Sequence, residues 1–167
     1  MSYTFKIAGA EDMPQVYQLL QKVFRPTYGM ILTGAQMDWM LANIFSEEEL
    51  CRQQANRRFR FILLCQNNEL SGFSALEQDY GGRAFCCKMH KLYLSMDTQG
   101  KGLGRLLIAK SMEQARALGQ KELILNVNRY NKAFHFYEKM GFEVLYEEDI
   151  ALAEGYFMND YVMGKKL

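Results

Sequence analysis

The sequence is poor in the residues that metal and disulfide chemistry need. It has two histidines and four cysteines in 167 residues. Cys51, Cys65, Cys86 and Cys87 show no Cys-x-x-Cys spacing. No metal site is therefore expected, and reduced cysteines are the simplest reading. Net charge is only +1. That removes the bulk electrostatic case for a nucleic-acid or membrane-surface partner. No apolar run approaches the roughly 18 residues that span a bilayer. Residues 1–6 lack the basic-then-apolar pattern of a secretory signal, so a cytoplasmic location is expected. No internal repeat, low-complexity segment or linker divides the chain. One domain over 1–167 with a sizeable core is expected.

The most informative segment is Gln99-Gly100-Lys101-Gly102-Leu103-Gly104-Arg105. It follows the apolar run Leu92-Tyr93-Leu94 and precedes a helical pattern over 106–118. Three glycines at a strand-to-helix junction put bare backbone N–H groups at the positive end of a helix, which suits phosphate oxygens. Lys101 and Arg105 add positive charge. The Walker spacing Gly-x-x-x-x-Gly-Lys is absent, and neither Gly100 nor Gly102 starts a Gly-x-Gly-x-x-Gly string. Taken alone, Gly100 and Gly102 could equally make a tight turn.

Periodicity fills in the rest. Strands are predicted at 3–7, 59–65, 70–76, 85–96, 122–128, 142–150 and 156–165. Helices are predicted at 13–28, 36–45, 106–118 and 131–140, with another after Ser46, where Ser46-Glu47-Glu48-Glu49 has the capping-box form. Gly119 and Gly141 read as helix stops. The order is β-α-α-α-β-β-β-α-β-α-β-β.

A second segment sharpens the glycine string. Asn131-Lys132-Ala133-Phe134-His135-Phe136-Tyr137-Glu138-Lys139-Met140-Gly141-Phe142 lies one strand downstream. Together the two resemble the cofactor-binding core of the GNAT superfamily, the acyl-CoA-dependent N-acetyltransferases. The first is similar to its Gln/Arg-x-x-Gly-x-Gly/Ala loop. The second is similar to its Asn-x-x-Ala-x-x-Phe-Tyr-x-x-x-Gly-Phe helix, with a shortened spacer after Asn131. The resemblance is strongest over about 60–145. It implies a mixed α/β, GNAT-like fold with a mostly antiparallel twisted sheet of about seven strands flanked by helices. It implies acetyl-CoA as co-substrate and a primary amine as acceptor. It leaves open a homodimer built through the last hairpin.

The resemblance also suggests roles. Gln99, Gly100, Lys101, Gly102, Leu103, Gly104 and Arg105 would hold the pyrophosphate. The backbone of Leu92, Tyr93 and Leu94 would pair with the pantetheine arm, and the N–H of Leu94 is the candidate oxyanion donor. Asn131 and Ala133 would contact the same arm, although Asn131 could equally cap its helix. Asn126 and Asn128 line the same cleft or face solvent.

Acetyl transfer needs a neutral amine, although an alkyl amine has a pKa near about 10.4, and it needs a stabilised thiolate. Tyr137 is the candidate acid for that thiolate. Its alternative is core, because Ala133, Phe136, Tyr137 and Met140 form a helical stripe. His90 is the candidate base, standing where many relatives carry glutamate, with Glu77 and Asp79 as alternatives. Six acidic residues, Glu143, Glu147, Glu148, Asp149, Glu154 and Asp160, would attract a cationic amine or merely face water. The segment 24–39 and the ending Asp160-Tyr161-Val162-Met163 resemble a bacterial branch acting on polyamines. The competing classes are a peptide N-acetyltransferase and a non-catalytic acyl-CoA-binding module.

Overall fold

The computed structural model describes residues 2–167; Met1, part of the opening segment read above, lies outside them. The described residues form seven strands and five α-helices. They are β1 (Tyr3–Ile7), α1 (Met13–Tyr28), α2 (Gly34–Asn43), α3 (Glu47–Ala55), β2 (Phe59–Gln66) and β3 (Glu69–Glu77). There follow β4 (Cys86–Leu94), α4 (Leu103–Ala117), β5 (Glu122–Asn128), α5 (Ala133–Lys139), β6 (Glu143–Ala151) and β7 (Phe157–Lys166). One seven-stranded sheet has the order β1-β2-β3-β4-β5-β7-β6. Every neighbouring pair is antiparallel except β4 with β5, which α4 connects. This is the mixed α/β arrangement expected from the sequence.

Local chemistry sets the element ends. Asn67 and Asn68 both take positive φ between β2 and β3, as a tight hairpin turn requires. Ser46 caps α3 by accepting from the Glu49 N–H at 3.2 Å. The reciprocal half of a capping box is not made, because the Glu49 carboxylate turns to Arg52 and Gln53. Thr33 caps α2 through the Gln36 N–H, so that helix starts two residues before the predicted 36. The largest difference is at the glycine string. Helix α4 begins at Leu103, not at 106. Leu103, Gly104 and Arg105 form its first turn rather than a loop.

Two cores cover the sheet. Helices α1, α2 and α3 pack Val16, Leu20, Phe24, Met40 and Leu50 on Phe61, Phe73 and Ala75. Helices α4 and α5 pack Leu107, Ile108 and Tyr137 on Ile62, Leu76, Leu123, Leu125 and Met163. The buried Ser74 and Ser111 hydroxyls join β3 to α4 at 2.7 Å.

Two irregularities of β4 open the sheet. A bulge pairs Ala75 with Lys91 but Leu76 with Met89, leaving His90 as the extra residue. The bulge reverses the alternation of faces. Cys87 and Met89 face α4 and α5, whereas Lys91 and Tyr93 face α1, α2 and α3. Second, β4 pairs with β5 only from Cys86–Glu122 to Met89–Leu125. Beyond that the strands separate, while β4 stays paired to β3 through Leu94.

Candidate active site

The gap between β4 and β5 opens into a cavity of about 720 Å³. This lies within the range of small-molecule sites. Its walls come from both cores and from the glycine string.

One end is built for an anion. Gly100 and Gly102 sit at φ +76° and +81°, a left-handed geometry that favours glycine. Gly102 caps α4 without any side-chain hydrogen bond. The first N–H groups of α4 are therefore available. Gly104 lets the helix approach: an added Cβ would lie 3.3 Å from Leu94 and 3.5 Å from Phe136. Gln99, Gly100, Gly102, Gly104 and Arg105 all line the cavity. Leu103 does not, because its side chain is buried in the core beneath α4. Lys101 is exposed outside the lining. Neither Lys101 nor Arg105 has a hydrogen-bond or ion-pair partner among the described residues.

The middle of the cavity is an open strand edge. The Ser95 N–H donates to the Ser71 carbonyl at 2.8 Å. Backbone groups alternate sides along a strand, so those of Leu92 and Leu94 point away from β3. Among the described residues, no strand meets them on that side. The Leu94 carbonyl accepts from Gln99 Nε2 at 3.4 Å. Tyr93 lines the cavity too, but its side chain turns to the other face and meets the Tyr28 hydroxyl at 3.3 Å.

Tyr137 and Asn131 complete that half. The Tyr137 ring packs between Phe136 and Phe142. Its hydroxyl meets no partner among the described residues, and the residue lines the cavity. Burial pushes its pKa well above 10, so it stays protonated. Asn131 and Ala133 line the cavity as well. The Asn131 Oδ1 accepts from the Ala133 N–H at 2.9 Å, which closes the turn into α5. That capping role is present, and the amide nitrogen is left without a partner among the described residues.

The other half is apolar with isolated charges. Tyr28, Leu32, Met40, Phe45 and Met158 form its walls. His90 stacks on Phe59 at 5.3 Å and donates from Nε2 to Glu77 Oε2 at 2.6 Å. Burial, with Lys88 and Lys91 beside it, pushes its pKa down to about 3. With Nε2 held by Glu77, only Nδ1 is left to take a proton, and burial disfavours the charged ring. Asp79, the other alternative, is tied to the Phe85 N–H and to Gln120, away from the lining. Lys91 is buried, donates to Gln53 at 2.7 Å, and is pushed down to about 8 by desolvation.

The six acidic residues separate by direction. Glu147 and Asp149 both hold Arg129. Glu143 and Glu154 are exposed. Glu148 accepts from Asn126 at 3.0 Å. Only Asp160 lines the cavity, and it is the one carboxylate that does so among the described residues. Asn126 and Asn128 also line the cavity rather than face solvent. Sequence reasoning missed Tyr28 and Lys91, which no local motif marks.

Comparisons with known proteins agree with this geometry. A family model described as the acetyltransferase (GNAT) family matches residues 13–142. The chain is 34% identical over 134 residues to an uncharacterized N-acetyltransferase of Escherichia coli, YjgM, covering 80% of this chain and 77% of the relative. Its fold is similar to the PaiA N-acetyltransferase of Thermoplasma acidophilum, solved in complex with coenzyme A. That likeness has a TM-score of 0.81 at 24% identity over 100% of both chains. It is also similar to the ribosomal-protein-S18-alanine N-acetyltransferase of Escherichia coli, with a TM-score of 0.75 at 19% identity over 99% and 94% of the two chains. A motif pair, an open strand edge and a family model across most of the sequence converge: this chain belongs to the acetyltransferase (GNAT) family.

Proposed function

We propose that this protein transfers the acetyl group of acetyl-CoA to a small primary amine by direct attack in a ternary complex. The acceptor carries one positive charge beside an apolar body. One observation carries this reading: a single cavity joins an anion-binding helix start, an unpaired strand edge, a free phenol and a lone carboxylate.

The chain's own residues fit acetyl-CoA. The α4 N–H groups and Arg105, with Lys101 nearby, suit the pyrophosphate. The open edge at Leu92 and Leu94 suits an amide-bearing arm by strand addition. The Leu94 N–H points to that edge and is the oxyanion donor of this proposal. Tyr137 gives its proton to the departing thiolate. The bound thioester supplies the activated acetyl group.

The polyamine expectation meets an obstacle on the acceptor side. A polyamine carries several cations, and the cavity wall offers Asp160 alone against them. Lys91, held charged or near its titration point, stands on the same wall. A monocationic amine with an apolar group matches Tyr28, Leu32, Met40 and Phe45 better. The free Tyr137 hydroxyl argues against a module that only binds.

A thiol-release assay with acetyl-CoA tests the reading against alkyl monoamines, polyamines, amino acids and peptides. Alkyl monoamines are expected to give the fastest release. Release with peptides alone would make the protein a peptide acetyltransferase. Tight acetyl-CoA binding with no release for any acceptor would make it a binding module.

A further inference from the structure

Asp160 combines deep burial with an open valence. It is 2% exposed on β7, paired across from Asn128 on β5 and Glu148 on β6. Its Oδ2 accepts from Asn126 Nδ2 at 3.1 Å. No donor meets Oδ1 among the described residues, and the residue lines the acceptor half of the cavity. A carboxylate oxygen buried without a donor is costly to maintain unless a ligand completes it. The fold does not supply that ligand. The Asn126 amide nitrogen bridges Asp160 to Glu148 through Oδ2, which leaves Oδ1 unengaged.

We infer that Asp160 binds the acceptor as its ammonium ion and takes the proton that must leave before attack, the part first assigned to His90. The inference rests on the acetyltransferase reading above. The proton balance is simple. Asp160 removes one proton from the ammonium and passes it to solvent. The nitrogen lone pair then forms the N–C bond to the thioester carbonyl carbon. The C–S bond breaks, and its electron pair goes to sulfur. The second proton shed by nitrogen replaces the one Tyr137 gives to the thiolate. The products are the amide and the free thiol of coenzyme A.

Charged groups on several sides of Asp160 act on its titration in opposing senses. Glu148 on β6 adds negative charge, while Lys88 on β4 and Arg129 after β5 oppose it. Tyr28 on α1 is close enough to feel its charge. On the same wall stand His90, whose pKa is pushed down by burial, and Lys91, pushed down to about 8 by desolvation. Burial is the largest influence and raises the Asp160 pKa from its usual value. A raised carboxylate is a stronger base than an ordinary one.

The test compares wild type, Asp160→Asn and Asp160→Glu. The acceptors are the fastest alkyl monoamine of the panel and 2,2,2-trifluoroethylamine, whose three electron-withdrawing fluorines leave it mostly neutral at pH 7. Asparagine keeps the bond from Asn126, so coenzyme A affinity and melting temperature should hold in Asp160→Asn. Its kcat/KM for the alkyl amine at pH 7 should fall by about 10²-fold or more. The loss for the fluorinated amine should be far smaller. Wild-type kcat/KM should change little from pH 7 to 9 beyond the titration of Lys91 on the same wall, which every variant shares. The Asp160→Asn value should climb with pH toward the amine's own pKa of about 10.4. Asp160→Glu should restore the wild-type profile at a lower rate. Equal losses for both amines, or parallel profiles in wild type and Asp160→Asn, overturn the assignment alone. If wild type acetylates neither amine, the proposed function and this inference fall together.

Discussion

Tyr137 shows how a candidate functional side chain can sit inside a structural pattern. Its position on the Ala133, Phe136, Met140 stripe of α5 reads as core, and its ring is indeed packed against Phe136 and Phe142. What separates it from core is its hydroxyl, which no described residue satisfies. Burial holds the phenol protonated at any ordinary pH. A phenylalanine in its place would keep the packing and remove only the donor. Tyr137→Phe is therefore expected to lower kcat by about 10²- to 10⁴-fold while leaving the acetyl-CoA Kd unchanged. Steady-state kinetics with calorimetry on the same preparation check both halves, and an unchanged kcat removes Tyr137 from the mechanism. Asp160 was less legible. Six acids near the C-terminal end look alike in sequence, and only the register of β7 between β5 and β6 turns this one inward. His90 was legible only in part, for the opposite reason. Its position in the strand is informative, but its Glu77 partner comes from β3, through a contact that no local spacing encodes.

At the scale of elements, the glycine string carries its chemistry in plain view. Its glycines mark where backbone must turn left-handed, and Gly100 and Gly102 do so. The start of α4 was not legible, because Gly104 is a poor helix former that reads as loop. Its missing Cβ eases the approach of α4 to Leu94, which an added Cβ would meet at 3.3 Å. Gly102 is different. Open space surrounds the position of its absent Cβ, so a substitution there strains the backbone without a clash. Gly102→Ala should cost roughly 1–2 kcal/mol of stability from the left-handed conformation alone. The same strain would misaim the α4 N–H groups. Loss of one charge-assisted hydrogen bond is worth about 1.5 kcal/mol or more, which is about tenfold in affinity. Calorimetric titration with acetyl-CoA should show that weakening, with kcat little changed. An unaltered Kd would remove the α4 start from cofactor binding. The bulge at His90 stayed invisible, since period-two alternation carries no mark of an inserted residue. Yet it is what sends Lys91 and Tyr93 to one face and leaves Leu92 and Leu94 on the other.

The whole molecule is held open along one line. Strands β1 to β4 form one continuous antiparallel block, and β5, β7 and β6 form another. The two blocks share only the short parallel pairing from Cys86–Glu122 to Met89–Leu125. Past it, the backbone edge of β4 lacks the partner that a strand ordinarily has, and neither core fills the gap. A ligand that hydrogen-bonds to this edge and reaches the α4 start would bridge the blocks. Binding to the folded state alone stabilises it by about 2.7 kcal/mol at a ligand concentration 100 times Kd. For a chain of this size that corresponds to a rise of roughly 5–10 °C in melting temperature. Coenzyme A without the acetyl group should produce the same shift, because the edge and the helix start contact the arm and phosphates rather than the acetyl group. Hydrogen exchange locates the effect. The Leu92 and Leu94 amides, which face the open edge, should exchange quickly in the free protein and become protected with coenzyme A. The amides of Phe73 and Ala75, inside the β3 pairing, should be slow in both states. A melting shift without new protection at Leu92 and Leu94 would mean that coenzyme A binds outside this gap. Protection confined to these two amides, with β3 unchanged, would tie the split in the sheet directly to cofactor recognition.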